Sequence, residues 1–187
     1  MRKTWLLVAI LAATGCFAQL FGQVEAPRTR LYFGPFLGAS TIVVSAADFD
    51  TTMQAVYSDS GRDYYPFFTQ MGVSALQVVP TGQGANSITF HELFSLGGLD
   101  QNMPIPALDL VLGFQFGGGV EVGLGPHFSV LAPEGSVKIV ASVAYALGWT
   151  IARPNFSLPV LLMVVPSPSY AHPQISVLVG FAFESME

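Results

Sequence analysis

The sequence predicts an all-β fold, an antiparallel up-and-down transmembrane β-barrel of about eight strands with a short helix in its first long loop. Three observations predict it. Of all residues 51% are hydrophobic and only 10% are charged, against roughly 25% charged in an average soluble domain. Beyond the amino-terminal segment, no apolar run reaches the roughly 20 residues that a membrane-crossing helix needs. The second half alternates with a period of two, large apolar side chains against small or polar ones, as in strands with one face in lipid. An exported chain this apolar, lacking helical spans, satisfies its backbone in hydrocarbon by closing a sheet on itself.

Residues 1–18 read as a secretory signal peptide. Arg2 and Lys3 give a positive start, residues 5–13 are uncharged and apolar, and Cys16-Phe17-Ala18 offers small residues for cleavage. The alternative is a lipoprotein signal in which Cys16 carries the lipid. Cleavage after Ala18 leaves residues 19–187 as a single barrel domain with no cysteine, which excludes disulfides, thiol catalysis and thiolate metal sites. Two of the 7 Lys and Arg fall in the signal, against 12 Asp and Glu in the chain. Nothing basic clusters as a nucleic-acid surface would.

Strands are expected at about 31–46, 70–80, 87–96, 106–116, 119–131, 137–152, 155–165 and 174–184. In the fourth, Leu108, Leu110, Leu112 and Phe114 oppose Asp109, Val111 and Gly113. In the fifth, Val120, Val122, Leu124, Pro126 and Phe128 oppose Glu121, Gly123, Gly125, His127 and Ser129. The sixth sets Ile139, Ala141, Val143, Tyr145, Leu147 and Trp149 against Val140, Ser142, Ala144, Ala146 and Gly148. The last sets Ile175, Val177, Val179, Phe181 and Phe183 against Ser176, Leu178, Gly180 and Ala182. An even count puts both ends on the periplasmic side, with short turns at 81–86, 117–118 and 153–154. Gly117-Gly118-Gly119 is a hairpin turn using positive φ, since the Lys-Ser/Thr of a phosphate loop is missing. The longer links carry Asp48, Asp50, Asp59, Asp63, Asp100 and Glu134 and are expected outside.

Aromatic residues gather near the strand ends, as interfacial belts do. Tyr32, Phe33, Phe114, Phe116, Trp149, Phe156, Phe181 and Phe183 fall toward the periplasmic rim, and Tyr64, Tyr65, Phe67, Phe68, Phe94 and Phe128 toward the other. Pro35, Pro126 and Pro159 lie inside strands, where each deletes a ladder hydrogen bond and implies a bulge or a strand end.

Residues 48–69 form the long first loop. Asp48 or Asp50 is placed to cap a helix, and Phe49, Met53, Val56 and Tyr57 share one face. That stripe needs a partner, either over the barrel mouth or inside the lumen as a gate.

The closing stretch, Ile175 to Phe183, with its alternation and terminal aromatics, resembles the final strand of bacterial outer-membrane barrels. Glu184 to Glu187 follow it, where the usual pattern ends on the aromatic. Mature length and strand count resemble the eight-stranded group that includes OmpA, OmpX and OmpW. The resemblance implies an outer-membrane location, contact with membrane lipid, and recognition of the last strand by the barrel-insertion machinery.

The catalytic-looking residues are His127-Phe128-Ser129 with Glu121. A His two residues before a Ser shares its face, where an imidazole activates a hydroxyl. Outer-membrane lipid A deacylases carry a similar His-x-Ser. Here Val130-Leu131-Ala132 follow Ser129, unlike that family, and the parity turns His127 inward, away from lipid. A polar lumen lining is the plainer reading. No metal or cofactor site is expected: His91, His127 and His172 are scattered, and adjacent His91 and Glu92 point to opposite faces.

The reading that follows is a non-enzymatic outer-membrane barrel with a structural or surface-interaction role. The alternative is the binding or passage of a small apolar molecule, which the OmpW resemblance implies. Its residues would be Glu121, His127, Ser129, Val140, Leu161 and Met163 in the lumen, with Phe49, Met53, Val56 and Tyr57 as the gate. A lipid A-directed hydrolase is the remote third reading, and a secreted soluble β-sandwich the competing fold.

Overall fold

A computed structural model of the chain describes residues 29–57, 63–81, 85–131, 138–153, 156–166 and 172–185. Residues 1–18, with Cys16, and the loop residues Asp59 and Glu134 lie outside them. The strands are β1 (Arg30–Ile42), β2 (Phe67–Pro80), β3 (Ser87–Gly97), β4 (Ile105–Gln115), β5 (Val120–Leu131), β6 (Lys138–Ala152), β7 (Phe156–Val165), β8 (Gln174–Gly180) and β9 (Ala182–Glu184). Each of β1 to β7 pairs antiparallel with the next, and β8 with β9 returns to β1. The result is a closed eight-stranded antiparallel barrel, with one helix, α1 (Ala46–Tyr57), after β1.

The eighth strand is written as two pieces because of proline. β8 and β9 keep one continuous register on β1, from Phe36↔Gly180 to Phe33↔Phe183. They also keep one on β7, from Val160↔Val179 to Phe156↔Phe183. The pairings that drop out face Pro35 on one flank and Pro159 on the other, residues without an N–H to donate. Pro126 does the same between β4 and β5, where pairing lapses between Asp109↔His127 and Leu112↔Leu124 with no slip. The expected bulges and strand ends are therefore absent at these three positions. The ladder skips a rung, and inside and outside keep their parity.

That parity follows the sequence. Leu112, Phe114, Val122, Leu124, Val143, Leu147, Trp149, Val177 and Val179 are exposed on the outer wall, while Asp109, Val111, Glu121, His127, Ala144 and Ser176 are buried within. Three belt assignments are corrected. Tyr32, Tyr64 and Phe68 point inward and are buried, because Tyr32 and Phe68 sit on the lumen parity of their strands. Phe33, Phe116, Trp149 and Phe183 remain outside at the short-turn end, with Phe181 stacked on Phe156 at 5.2 Å and edge-on to Phe183 at 4.8 Å.

Boundaries around the first loop shift. β1 stops at Ile42 rather than running to residue 46, and β2 begins at Phe67 rather than 70. The Ile42 N–H donates to the Pro66 carbonyl at 2.8 Å, extending the hairpin into what was expected as loop. Ser45, not Asp48 or Asp50, caps α1: its hydroxyl accepts from the Asp48 N–H at 3.2 Å and donates to the Asp48 carboxylate at 2.6 Å. That Ser-x-x-acid reciprocity satisfies a free N–H of the first turn. Asp50 instead ties the helix to the returning chain, accepting from the Tyr64 N–H at 2.8 Å and from Gln54 at 2.9 Å. At the short-turn end Gly119 has φ 83°, the positive φ expected of the glycine turn. Phe116 there bonds Val120 at 2.8 Å.

Candidate functional site: the barrel lumen

The lumen is filled in layers that can be followed along β1, from Ile42 through Ser40 and Phe36 to Tyr32. At the helix end α1 lies over the mouth, and Phe49 and Met53 pack with Ile42, Tyr64, Phe68, Met103 and Ile105 in one buried cluster. Phe49 and Met53, one helical turn apart, make that seal. Val56 is half-buried, and the Tyr57 side chain lies outside the described residues. Val44 joins the cluster from the β1–α1 link, a contact that helical periodicity does not predict.

Beneath the lid comes a polar layer. Ser40 donates to Gln70 at 2.7 Å and shares a 2.7 Å bond with Ser176. Gln70 reaches Ser95 at 3.4 Å, and Gln174 donates to Ser176 at 3.1 Å. Beside it His127 Nδ1 meets the Asp109 carboxylate at 2.6 Å, across directly paired positions of β4 and β5. A cavity of about 10 Å³ is lined by Gln70, Asp109, His127, Gln174 and Ser176, together with Met163, Val165 and Leu178. That is room for about one water. His127 Nε2 is buried without a protein partner among the described residues, so the ring has one nitrogen oriented by an acid and one free to accept or donate.

An apolar septum follows: Phe36, Leu93, Val111, Ala144, Leu161, Met163, Val165 and Leu178, contributed from six strands, touch one another across the axis. Below it stands a second acid–base group. Glu121 Oε1 accepts from the Thr89 hydroxyl and meets His91 Nε2 at 2.9 Å. These groups sit on β5 and β3, with β4 between them. Gly113 of β4 makes the reach possible, because a Cβ there would collide with Glu121 Oε1 and Thr89 Oγ1. An absent side chain in the middle strand is thus filled by carboxylate from the next.

All six lumen residues named from the sequence face inward: Glu121, His127, Ser129, Leu161 and Met163 are buried and Val140 half-buried. They do not converge. Leu161 and Met163 belong to the septum, while Glu121 and His127 belong to separate acid–base pairs on its two sides. The partners Asp109, His91 and Thr89 were missed. Parity does put Asp109 and His91 inside, but choosing which acid meets which histidine needs the register. His91 and Glu92 point to opposite faces as expected, and among the described residues no group of three His, Cys, Asp or Glu is placed to hold a metal.

No family model matches the sequence, and no curated protein matches it. Among solved structures the chain is similar to Ail, the attachment invasion locus protein of Yersinia pestis. In its complex with the heparin analogue sucrose octasulfate, Ail aligns at 9% identity over 84% of this chain and 97% of Ail, with a TM-score of 0.48. A second Ail structure aligns over the same shares at 9% identity with a TM-score of 0.30.

Proposed function

We propose that the chain is a bacterial outer-membrane barrel without catalytic function, its lumen shut, acting as a structural or surface component through its helix-capped end. One observation carries this reading: an apolar outer wall surrounds a lumen that is packed from wall to wall. Burying that wall in acyl chains is the favourable alternative to exposing it to water. The lid and the septum put packed apolar layers across the axis at two levels. Against the hydrolase reading, Ser129 and His127 lie within the closed lumen, away from any lipid substrate. The strand from Gln174 to Glu184 is the segment we assign to the insertion machinery, and residues 1–18 to export.

Heat-modifiable migration of the refolded chain in detergent, together with protease-resistant strands, is the expected result. Planar-bilayer recording is expected to give no conductance, with or without residues 51–61. Conductance or retention of an apolar ligand appearing on that deletion would favour the gated-passage reading instead, for which the lid of Phe49 and Met53 is the supporting feature. A purified mature chain that stays monomeric in detergent-free buffer would sink the membrane reading altogether.

A charge on the outer wall gives a quantitative check. Val143 is exposed near the middle of β6, and Val143→Arg is expected to cost about 2–4 kcal/mol of stability in vesicles if it lies near the bilayer midplane. Urea unfolding measures it, and an unchanged midpoint would mean that this wall does not face hydrocarbon.

A further inference from the structure

The outer wall carries one anomaly. Among the described strand residues whose side chains face outward, Glu92 is the only one with a charged group apart from those at the extreme strand ends, and Gln77 the only amide. Glu92 is the middle residue of β3, so it sits far from either rim. It pairs with Ala75 of β2 and Leu110 of β4, and Gln77 is its diagonal neighbour on β2, where long side chains still meet. No hydrogen bond or ion pair engages the Glu92 side chain among the described residues. Resting on the membrane reading above, this places a carboxyl group in hydrocarbon with nothing to bond to. That costs free energy in either protonation state, and such groups almost always turn from lipid or pair with one another.

We propose that the Glu92 face is the interface between two copies of this chain in the membrane. Two copies inserted in the same sense are related by a two-fold axis along the membrane normal, which keeps every residue at its own height. Glu92 of one copy therefore meets Glu92 of the other, the one pairing that needs no vertical shift. A protonated carboxyl group both donates and accepts, so two of them bond each other, and the Gln77 amide from each copy adds further donors and acceptors. Ala75, directly beside Glu92, leaves no bulk to hold the walls apart. Polar contacts of this kind, with small neighbours, drive association where lipid removes the hydrophobic term.

The test uses the full chain with Cys16→Ser, expressed into outer membranes, carrying either Ala75→Cys beside Glu92 or Val143→Cys on β6 as a control. A short bis-maleimide is expected to link Ala75→Cys into a dimer about tenfold more efficiently than the control, the factor that one membrane hydrogen-bonded pair supplies. Adding Glu92→Leu abolishes that excess, and Glu92→Gln, which still bonds, keeps it. Equal yields at both cysteines would overturn the proposal, as would a dimer that survives Glu92→Leu or linkage of Ala75→Cys only to a different protein. Glu92→Leu removes a polar group from lipid and is expected to fold at least as well. Heat-modifiable migration of each variant separates loss of the interface from failure of the barrel itself.

Discussion

His91→Ala is expected to lower the unfolding free energy by about 3–5 kcal/mol, the cost of breaking a buried acid–base pair by removing one partner. Glu121 is left buried in the lumen with Thr89 alone. Its second oxygen already lacks a partner among the described residues, so nothing is in reserve. Urea unfolding in vesicles measures the loss. Replacing both partners, as His91→Leu with Glu121→Leu, is expected to cost much less, because no orphaned polar group remains. Gly113→Ala should resemble His91→Ala, since the added methyl claims the space occupied by the carboxylate. If His91→Ala shifts stability by less than about 1 kcal/mol, the pair is not a buried, mutually dependent unit.

The second large effect concerns the lid. Phe49 is fully buried between α1 and the barrel mouth, and removing its ring takes away transfer energy and leaves a cavity. About 3–5 kcal/mol is the usual cost of such a truncation. The cost should fall on the lid rather than the barrel, because α1 packs on the mouth through the cluster around Phe49 and Met53, with the Asp50 bond to the Tyr64 N–H as a second tie. Phe49→Ala is therefore expected to speed proteolysis within residues 46–66 by two orders of magnitude or more, about 1.4 kcal/mol per tenfold, while heat-modifiable migration persists. Val56→Ala, at a half-buried position, should leave cleavage nearly unchanged. Equal protease resistance in Phe49→Ala would mean that the helix is held by something other than its apolar face.

The barrel was legible because period-two alternation is a local property. Leu112 and Val111 take opposite sides whatever the neighbouring strands do, and the helix around Phe49 and Met53 declares itself by spacing. Rims were less legible. Tyr32, Tyr64 and Phe68 have the composition of a belt, but parity and the lid turn them inward. Prolines misled in a different way: Pro35, Pro126 and Pro159 each remove a donor, yet the neighbouring rungs hold the register, so no bulge is needed. The acid–base pairs were hidden because they depend on which residues lie level across strands. Asp109 meets His127 through register, and Glu121 reaches past a strand only because Gly113 is bare. A single sequence shows that glycine without showing what fills the gap.

Pro35 and Pro159 have a joint effect that neither has alone. They face the same short stretch, from Gly180 to Ala182, from opposite flanks. On the β1 flank the tail of the final strand keeps its pairing at Phe183 and Glu184, and opposite Pro35 it keeps one bond, from the Phe181 N–H to the Pro35 carbonyl at 2.9 Å. On the β7 flank, Phe156 stacks on Phe181 on the outside, and Phe181 meets Phe183 edge-on. Where β7 meets the last strand, the cylinder is buttoned by rings lying toward the surrounding medium, so the firmness of that join depends on what those rings are immersed in.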